Sequence, residues 1–363
     1  MKKHAIIPVF IPHKGCPNDC VFCNQKAITA HTADVYPEDV EKIIEEYLPT
    51  LEGRGLEMIE MAFFGGSFTG IPIEEQSAFL EVAKRYKDAG KIDKIHLSTR
   101  PDYIDRVILD NLRKYDVDVI ELGVQSFDEE VLLASNRGHD VKAVYDACDL
   151  IKEYGFTLGI QLMIGLPLDT RERSIESAKK AAAIGPEIAR LYPTVILKDT
   201  ELYEMYKHGT YNPENHDEMV VTVTEMYKIL TGAGINVIRV GLKSTDLIND
   251  SEDEESAVIG NSYHPAFRQL VEGRIAWEII EARIKELFPD AVEKGEWNPY
   301  PDGEGTTFVP CPAIRVISNT RDFSNVIGHK GVNKKYFQDV YPWLNIVYEK
   351  DNTLADGTIT VVK

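Results

Sequence analysis

Residues 13–25 read HKGCPNDCVFCNQ. Three of the chain's five cysteines fall here, spaced Cys16-x3-Cys20-x2-Cys23. Gly15, Pro17, Asn18 and Asp19 beside them are turn formers, so the thiols ride on a loop rather than in a core. Structural zinc takes four ligands, commonly as two C-x2-C pairs, and no second pair follows. Cys148 stands alone in a helical pattern, and Cys311 alone between two prolines. Three thiolates without a fourth suit a 4Fe–4S cluster that leaves one iron open to an outside ligand. An odd cysteine count, clustered in this way, argues against a disulfide framework and for a reducing, cytoplasmic setting.

Outward from that loop the chain alternates. AIIPVFIP (5–12) reads as a buried strand. PEDVEKIIEEYLPTL (37–51) reads as a helix, with Val40, Ile43, Ile44, Tyr47, Leu48 and Leu51 on one stripe. Strands follow at 57–66, 94–100, 119–126, 157–167, 187–197 and 235–243, and helices at 73–87, 104–115, 128–135, 141–154, 171–185 and 217–234. Six strand-then-helix units with a closing strand imply parallel strands and right-handed crossovers. The alternation admits a doubly wound sheet or a partly closed barrel, and the motifs favour the barrel. In either fold, reactive residues gather where strands end and loops begin.

The chain has 363 residues, 44% apolar and 27% charged, the profile of a soluble globular protein of one or two domains. No run of 18 apolar residues occurs to span a membrane. MKKHAIIPVFIPHKG (1–15) lacks a long apolar region and a small-residue cleavage site, so it reads as a strand and not a signal peptide. The net charge of −19 opposes nonspecific binding to polyanions, but it is uneven. From Ala313 onward seven basic residues face five acidic ones, giving +2 there and −21 in residues 1–312. STDLINDSEDEES (244–256) reads as a linker or a solvated loop. GRIAWEIIEARIKELF (273–288) reads as an amphipathic helix. The expected divisions are 1–245, an acidic linker and helical extension at 246–312, and a module at 313–363.

C-x3-C-x2-C after the first strand, with the aromatic Phe22 before the last cysteine, resembles the signature of the radical S-adenosylmethionine (SAM) family. The resemblance implies that Cys16, Cys20 and Cys23 hold the cluster and that SAM takes the open iron. FFGGSF (63–68) ends the second strand. In that family a glycine-rich stretch here holds SAM's methionyl amine, which would fall to Gly65, Gly66 and Ser67; a tight turn explains the glycines equally well. Many relatives carry an acid where this chain has Ser67. Gln125 and Ser126 end the fourth strand, where polar groups can bond ribose hydroxyls, although Ser126 also suits a helix cap. Met163, near the end of the fifth strand, suits either the core or an adenine pocket. The implied chemistry is reductive cleavage of SAM to a 5′-deoxyadenosyl radical, which takes hydrogen from a substrate, with an electron donor such as flavodoxin or ferredoxin.

STRPD (98–102), ELGVQSFDEEVL (121–132), NRGHD (136–140) and RLYPTVILKDTELYEMYKHGTYNP (190–213) are similar, in this order, to the radical SAM half of the Elongator catalytic subunit. That resemblance covers about residues 5–245. It implies a partial (β/α)6 barrel and places Arg137, His139, Tyr192, Lys198 and Tyr203 near the site, with Tyr192 and Lys198 facing substrate. The Elongator family continues into an acetyltransferase domain for which this sequence has no counterpart. The tail, with VIGHKG (326–331) between helices, resembles the core of a KH domain, which grips nucleic acid with a G-x-x-G loop. Gly328 and Gly331 would let backbone approach phosphate, and His329, Lys330, Lys334, Lys335 and Arg321 would surround it; an ordinary αβ cap with a glycine turn is the alternative. The fold expected is α/β, a radical SAM partial barrel with a small α+β module. The function expected is a radical SAM enzyme on RNA, tRNA first, with no membrane or DNA partner. A small-metabolite enzyme, or an RNA-binding protein with a structural cluster, remains open.

Overall fold

The computed structural model describes residues 4–11, 15–16, 20–24, 35–245, 247–249, 256–260, 263–299 and 308–363. The acidic stretch read at 244–256 lies largely outside the described residues, as do Pro17, Asn18 and Asp19. The chain forms two compact units, 1–265 and 266–363.

The first unit holds seven strands: β1 (His4–Ile11), β2 (Met58–Gly65), β3 (Lys94–Thr99), β4 (Val119–Gln125), β5 (Thr157–Ile164), β6 (Ile188–Pro193) and β7 (Asn236–Val240). They lie in chain order, every neighbouring pair parallel. Parallel neighbours need long crossovers, and helices supply them: α1 (Pro37–Leu51), α2 (Ile73–Asp88), α3 (Arg106–Lys114), α4 (Glu129–Ala134), α5 (Val141–Glu153), α6 (Arg171–Ile184), α7 (Glu201–Lys207) and α8 (His216–Gly232). The sheet curls into a half-barrel. Helix starts are fixed chemically. Asp105, Asp128, Asp140, Thr170, Thr200 and Asn215 each accept backbone N–H groups in the first turn of the helix that follows.

Side chains alternate between the faces of the sheet. Ile95, Leu97, Ile120, Leu122, Ile160, Leu162 and Leu191 are wholly buried apolar residues of one face. The other face carries Glu60, His96, Ser98, Glu121, Gln161, Arg190 and Tyr192, placed side by side by the strand register. Gly159 sits between strands here because a Cβ would meet Glu121 Cγ at 2.9 Å.

The second unit begins with α9 (Phe267–Leu287) and α10 (Pro289–Lys294), then β8 (Ala313–Ser318), α11 (Phe323–Ile327), α12 (Val332–Val340), β9 (Asn345–Lys350) and β10 (Ile359–Val362). Its sheet runs β10-β8-β9, with β8 parallel to β9 and β10 antiparallel to β8. The α11–turn–α12 pair is thus a crossover. Ala276, Ile280 and Ile284 of α9 share one core with Ile314, Val316, Val326 and Phe337. That shared core explains why the division falls at 265/266, whereas the sequence reading divides at 245 and 312. Helix α9 also starts six residues before the expected Gly273.

Candidate active site

The end of β1 and the end of β2 touch backbone to backbone. Gly66 N–H donates to the Ile11 carbonyl at 2.8 Å. Gly65 has φ +109°, and a Cβ there would stand 2.8 Å from the same oxygen. Gly15 is tighter still: φ is +73° and a Cβ would stand 2.1 Å from the Ser67 carbonyl. Glycine is required at both places. The cysteine loop therefore starts wedged against the turn after β2, with Cys16 Sγ 3.6 Å from the buried Ser67 hydroxyl.

Its other end is held from two more sides. Val21 N–H donates to Ser135 (3.2 Å), and Leu202 N–H donates to the Val21 carbonyl (2.7 Å). Asn24 Nδ2 donates to the Lys198 carbonyl at 2.8 Å. Val21 packs with Ile196, Leu202 and Tyr211, while Phe22 and Tyr203 lie partly buried against that cluster. Cys23 N–H closes a turn onto the Cys20 carbonyl at 2.9 Å. Cys20 is buried, Cys16 and Cys23 half-buried, and none of the five cysteines is in a disulfide. Among the described residues no three His, Cys, Asp or Glu side chains form a site for a single metal ion. A 4Fe–4S cluster asks for something else, three thiolates each on a different iron.

Two guanidiniums serve this loop. Arg137 Nη1 donates to Cys20 Sγ at 3.1 Å and Nη2 to the Gly123 carbonyl at 2.6 Å. Arg100 is locked to Asp102 by two hydrogen bonds of 2.9 and 2.8 Å. Burial opposes its charge, but Asp102 and, to a smaller extent, the negative charge of the Cys20 and Cys16 thiolates hold its pKa above the ordinary value. Burial, with Arg137 adding to it, pushes the His139 imidazole down to about 4, so it is neutral at pH 7.

Among the described residues, buried polar atoms without a hydrogen-bond partner cluster at the same edge: Gln125 Oε1, Arg137 Nε and the ring nitrogens of His139, one of which approaches the Val124 backbone without hydrogen-bond alignment. Each is a group whose burial is unfavourable until a ligand satisfies it. Gln125 ends β4 with φ +68° beside a bulge, a strained conformation of the kind kept at ligand sites. These atoms, the thiols and the glycine-floored turn fit a cluster with a polar cofactor beside it.

Ser126 takes a turn role ahead of the next helix without being the cap itself. Its oxygen accepts Asp128 N–H at 3.1 Å and lies 3.5 Å from Ser177 Oγ, and Asp128 is the cap of α4. The hydroxyl thus serves the turn, while Gln125 Oε1 has no hydrogen-bond partner among the described residues. Met163 and Tyr192 are register partners and half-buried. Lys198 is held through its backbone, with its N–H on the Ala257 carbonyl at 2.7 Å.

Deeper in the sheet lies a charged layer that the sequence reading passed over. His96 Nδ1 bonds Glu60, and His96 Nε2 lies 3.1 Å from Glu121, a close charge contact without hydrogen-bond alignment. Glu121 also accepts from Arg190 Nε (2.9 Å) and Gln161 Nε2 (2.5 Å). Arg190 stacks on Phe64 at 5.0 Å and reaches the Tyr192 hydroxyl at 3.4 Å. Burial would raise the Glu121 pKa, yet Arg190, His96 and Gln161 hold it at about 2. The same pairing raises His96 against its burial and lowers Glu60.

The chain belongs to the radical SAM superfamily, whose family model matches residues 10–181, and a radical SAM C-terminal domain model matches residues 186–276. It is 28% identical over 269 residues to human Elongator complex protein 3, covering 62% of this chain and 49% of that one. It is 25% identical over 264 residues to the tRNA uridine(34) acetyltransferase of Methanocaldococcus infernus, again 62% of this chain and 49% of the relative. The chain thus spans about half the length of the curated relatives it matches. The archaeal M. infernus Elp3, solved with an N-terminal deletion, has the same fold, with a TM-score of 0.58 at 20% identity, over 83% of this chain and 70% of that one. As a member of this superfamily the chain is an enzyme whose cofactors are a 4Fe–4S cluster and SAM. Among the described residues no helix is long and apolar enough to cross a membrane.

Proposed function

We propose that this radical SAM enzyme acts on RNA, with tRNA as the first substrate class. When bound, the cluster and SAM supply a one-electron reductive cleavage and a carbon radical that removes hydrogen from a C–H bond. In this reading Cys16, Cys20 and Cys23 hold the cluster, Gly65, Gly66 and Gln125 receive SAM, and Tyr192 faces substrate. The curled sheet keeps water from the reacting carbon. The electron comes from a low-potential donor of flavodoxin or ferredoxin type.

The observation that carries the RNA reading is the turn between α11 and α12. Gly328 has φ +82°, and a Cβ there would stand 2.7 Å from Asn333 N; Gly331 has φ +80° with open space beyond. Asn333 Nδ2 fastens the turn from beneath, donating to the Gly273 carbonyl at 2.8 Å and to Asn325 at 3.2 Å. Lys330, Lys334 and Lys335 are exposed around it and, among the described residues, pair with no carboxylate. A bare backbone ringed by unpaired cations matches a phosphate chain. Arg321 is withdrawn from that role, since it pairs with Asp356. His329 is engaged by Gln269 of α9 at 3.2 Å. The tRNA relatives, matched through the radical SAM half, make tRNA the first RNA to test.

Lys330→Asp with Lys334→Glu should weaken tRNA binding roughly 10-fold or more and flatten its salt dependence, because fewer counterions are released. SAM cleavage without substrate, read as 5′-deoxyadenosine, should persist. Filter binding across a salt series measures the first and chromatography the second. Unchanged tRNA affinity in the variant makes the turn a structural cap and not an RNA clamp; a wild-type protein that does not retain tRNA refutes the RNA reading and leaves a small metabolite as substrate.

A further inference from the structure

Among the described residues the charge around Cys20 does not balance. Arg137 is buried, with 6% of its surface exposed. Its partners are a thiol, at 3.1 Å, and the Gly123 carbonyl, at 2.6 Å. Among the described residues no carboxylate pairs with it, unlike Arg100 with Asp102 or Arg190 with Glu121. A cation withdrawn from water is strongly disfavoured unless an anion faces it. Yet the turn that carries Arg137 is built for this placement. Asn136 and Gly138 on either side are left-handed, with φ of 52° and 75°. Arg137 N–H holds the Leu132 carbonyl at 3.0 Å, and Ser135 accepts Val21 N–H from the cysteine loop. Strain of this kind persists where the surrounding structure enforces it and function uses it.

We propose that Arg137 sets the reduction potential of the iron–sulfur cluster through its N–H···S bond to Cys20. This rests on the reading of Cys16, Cys20 and Cys23 as cluster ligands. One-electron reduction, by an external low-potential donor, adds one negative charge to the cluster and moves no proton. A guanidinium fixed 3.1 Å from a ligand sulfur stabilises the added charge more than the oxidised form, so it raises the potential. The Gly123 carbonyl anchors the second nitrogen, so the cation is already in place before the electron arrives. Arg100 is neutralised by Asp102, to which it gives two hydrogen bonds, so it contributes less.

The test is a potentiometric titration, followed by EPR and without SAM, of anaerobically reconstituted Arg137→Met. Its midpoint should fall by about 59 mV or more, a tenfold loss in the reduced-to-oxidised ratio for a one-electron couple. Arg137→Lys should fall by less. A fully loaded Arg137→Met with the wild-type midpoint overturns the proposal. A wild-type protein that takes up no iron and sulfide overturns the underlying reading of the cysteines instead. If Arg137→Met takes up no cluster, protein labelled with 15N-guanidino arginine in an Arg100→Lys background decides. A 15N coupling to the reduced cluster in pulsed EPR supports the bond, and its absence overturns it.

Discussion

Gly15→Ala should purify without its cluster and lose at least about 100-fold of its SAM cleavage, the scale of loss that a misplacement of about 1 Å produces. The new Cβ would stand 2.1 Å from the Ser67 carbonyl and 2.9 Å from Gly70 C. Both are backbone atoms, and Gly70 N–H is itself bonded to that Ser67 carbonyl at 3.0 Å, so neither can swing aside. The left-handed φ of +73° adds about 1 kcal/mol for any residue with a Cβ. The chain must move, and Cys16 is the next residue. Cys20 and Cys23 do not follow, because Val21 is tied to Ser135 and to Leu202 on other elements. Three thiolates set to share one cluster lose their common geometry. Gly90→Ala is the control, since φ there is +64° but nothing lies within 4 Å of the added carbon. It carries the strain without the collision and should keep iron and activity. Iron and sulfide per chain, with 5′-deoxyadenosine formed, read both variants. A Gly15→Ala protein with full iron content and turnover would show that the loop does not position the cluster.

Much of this site could be read from the chain because its signals are local. The cysteine spacing, the glycines after β2 and the alternation of strands and helices each fit within one window. Seven parallel strands stand where seven are read, and helix-capping residues mark where loops give way to helices. The Arg137–Cys20 contact could not be read, since 117 positions separate the two and only the fold joins them. The charged layer does leave a trace in the sequence. Glu60, His96, Glu121 and Arg190 each interrupt an apolar strand, and a charge inside a parallel strand is a signal in itself, because such strands are normally buried on both faces. Helix α7 does not show in the sequence pattern, because TELYEMYK reads as a motif. Its cap, Thr200, accepts Tyr203 N–H and is the sign to look for. In the second unit the order of strand, helix, G-x-x-G turn, helix, strand and strand is local and legible. The membership of α9 is not, because its core partners lie at 314–337.

Glu121→Gln should cost about 3–5 kcal/mol, the range for breaking a buried ion pair from one side. For a unit of this size that lowers the melting temperature by roughly 10 °C, at 2–4 °C per kcal/mol. Glu121 is wholly buried and stands between Arg190 and His96. An amide there has no charge and turns one donor towards groups that are already donors. Arg190 is left buried without its anion, and His96 keeps only Glu60. The pH dependence distinguishes this from a packing defect. The folded pKa of Glu121, about 2, lies below the ordinary 4.5, so its stabilisation is complete above 4.5 and is lost as pH falls towards 2. Glu60 is lowered too and adds to the same acid limb. His96 is raised above 6.5, so its share is present below that value and fades as pH rises through the folded value. The gap between wild type and Glu121→Gln should therefore be widest near neutral pH and shrink below about 4.5, as the unfolded wild-type chain takes up at Glu121 a proton that the folded one refuses until about 2. Thermal unfolding of both proteins from pH 3 to pH 8 measures it. A gap that holds constant across that range, or stays under about 2 °C throughout, would mean the layer fills space without acting through its charge.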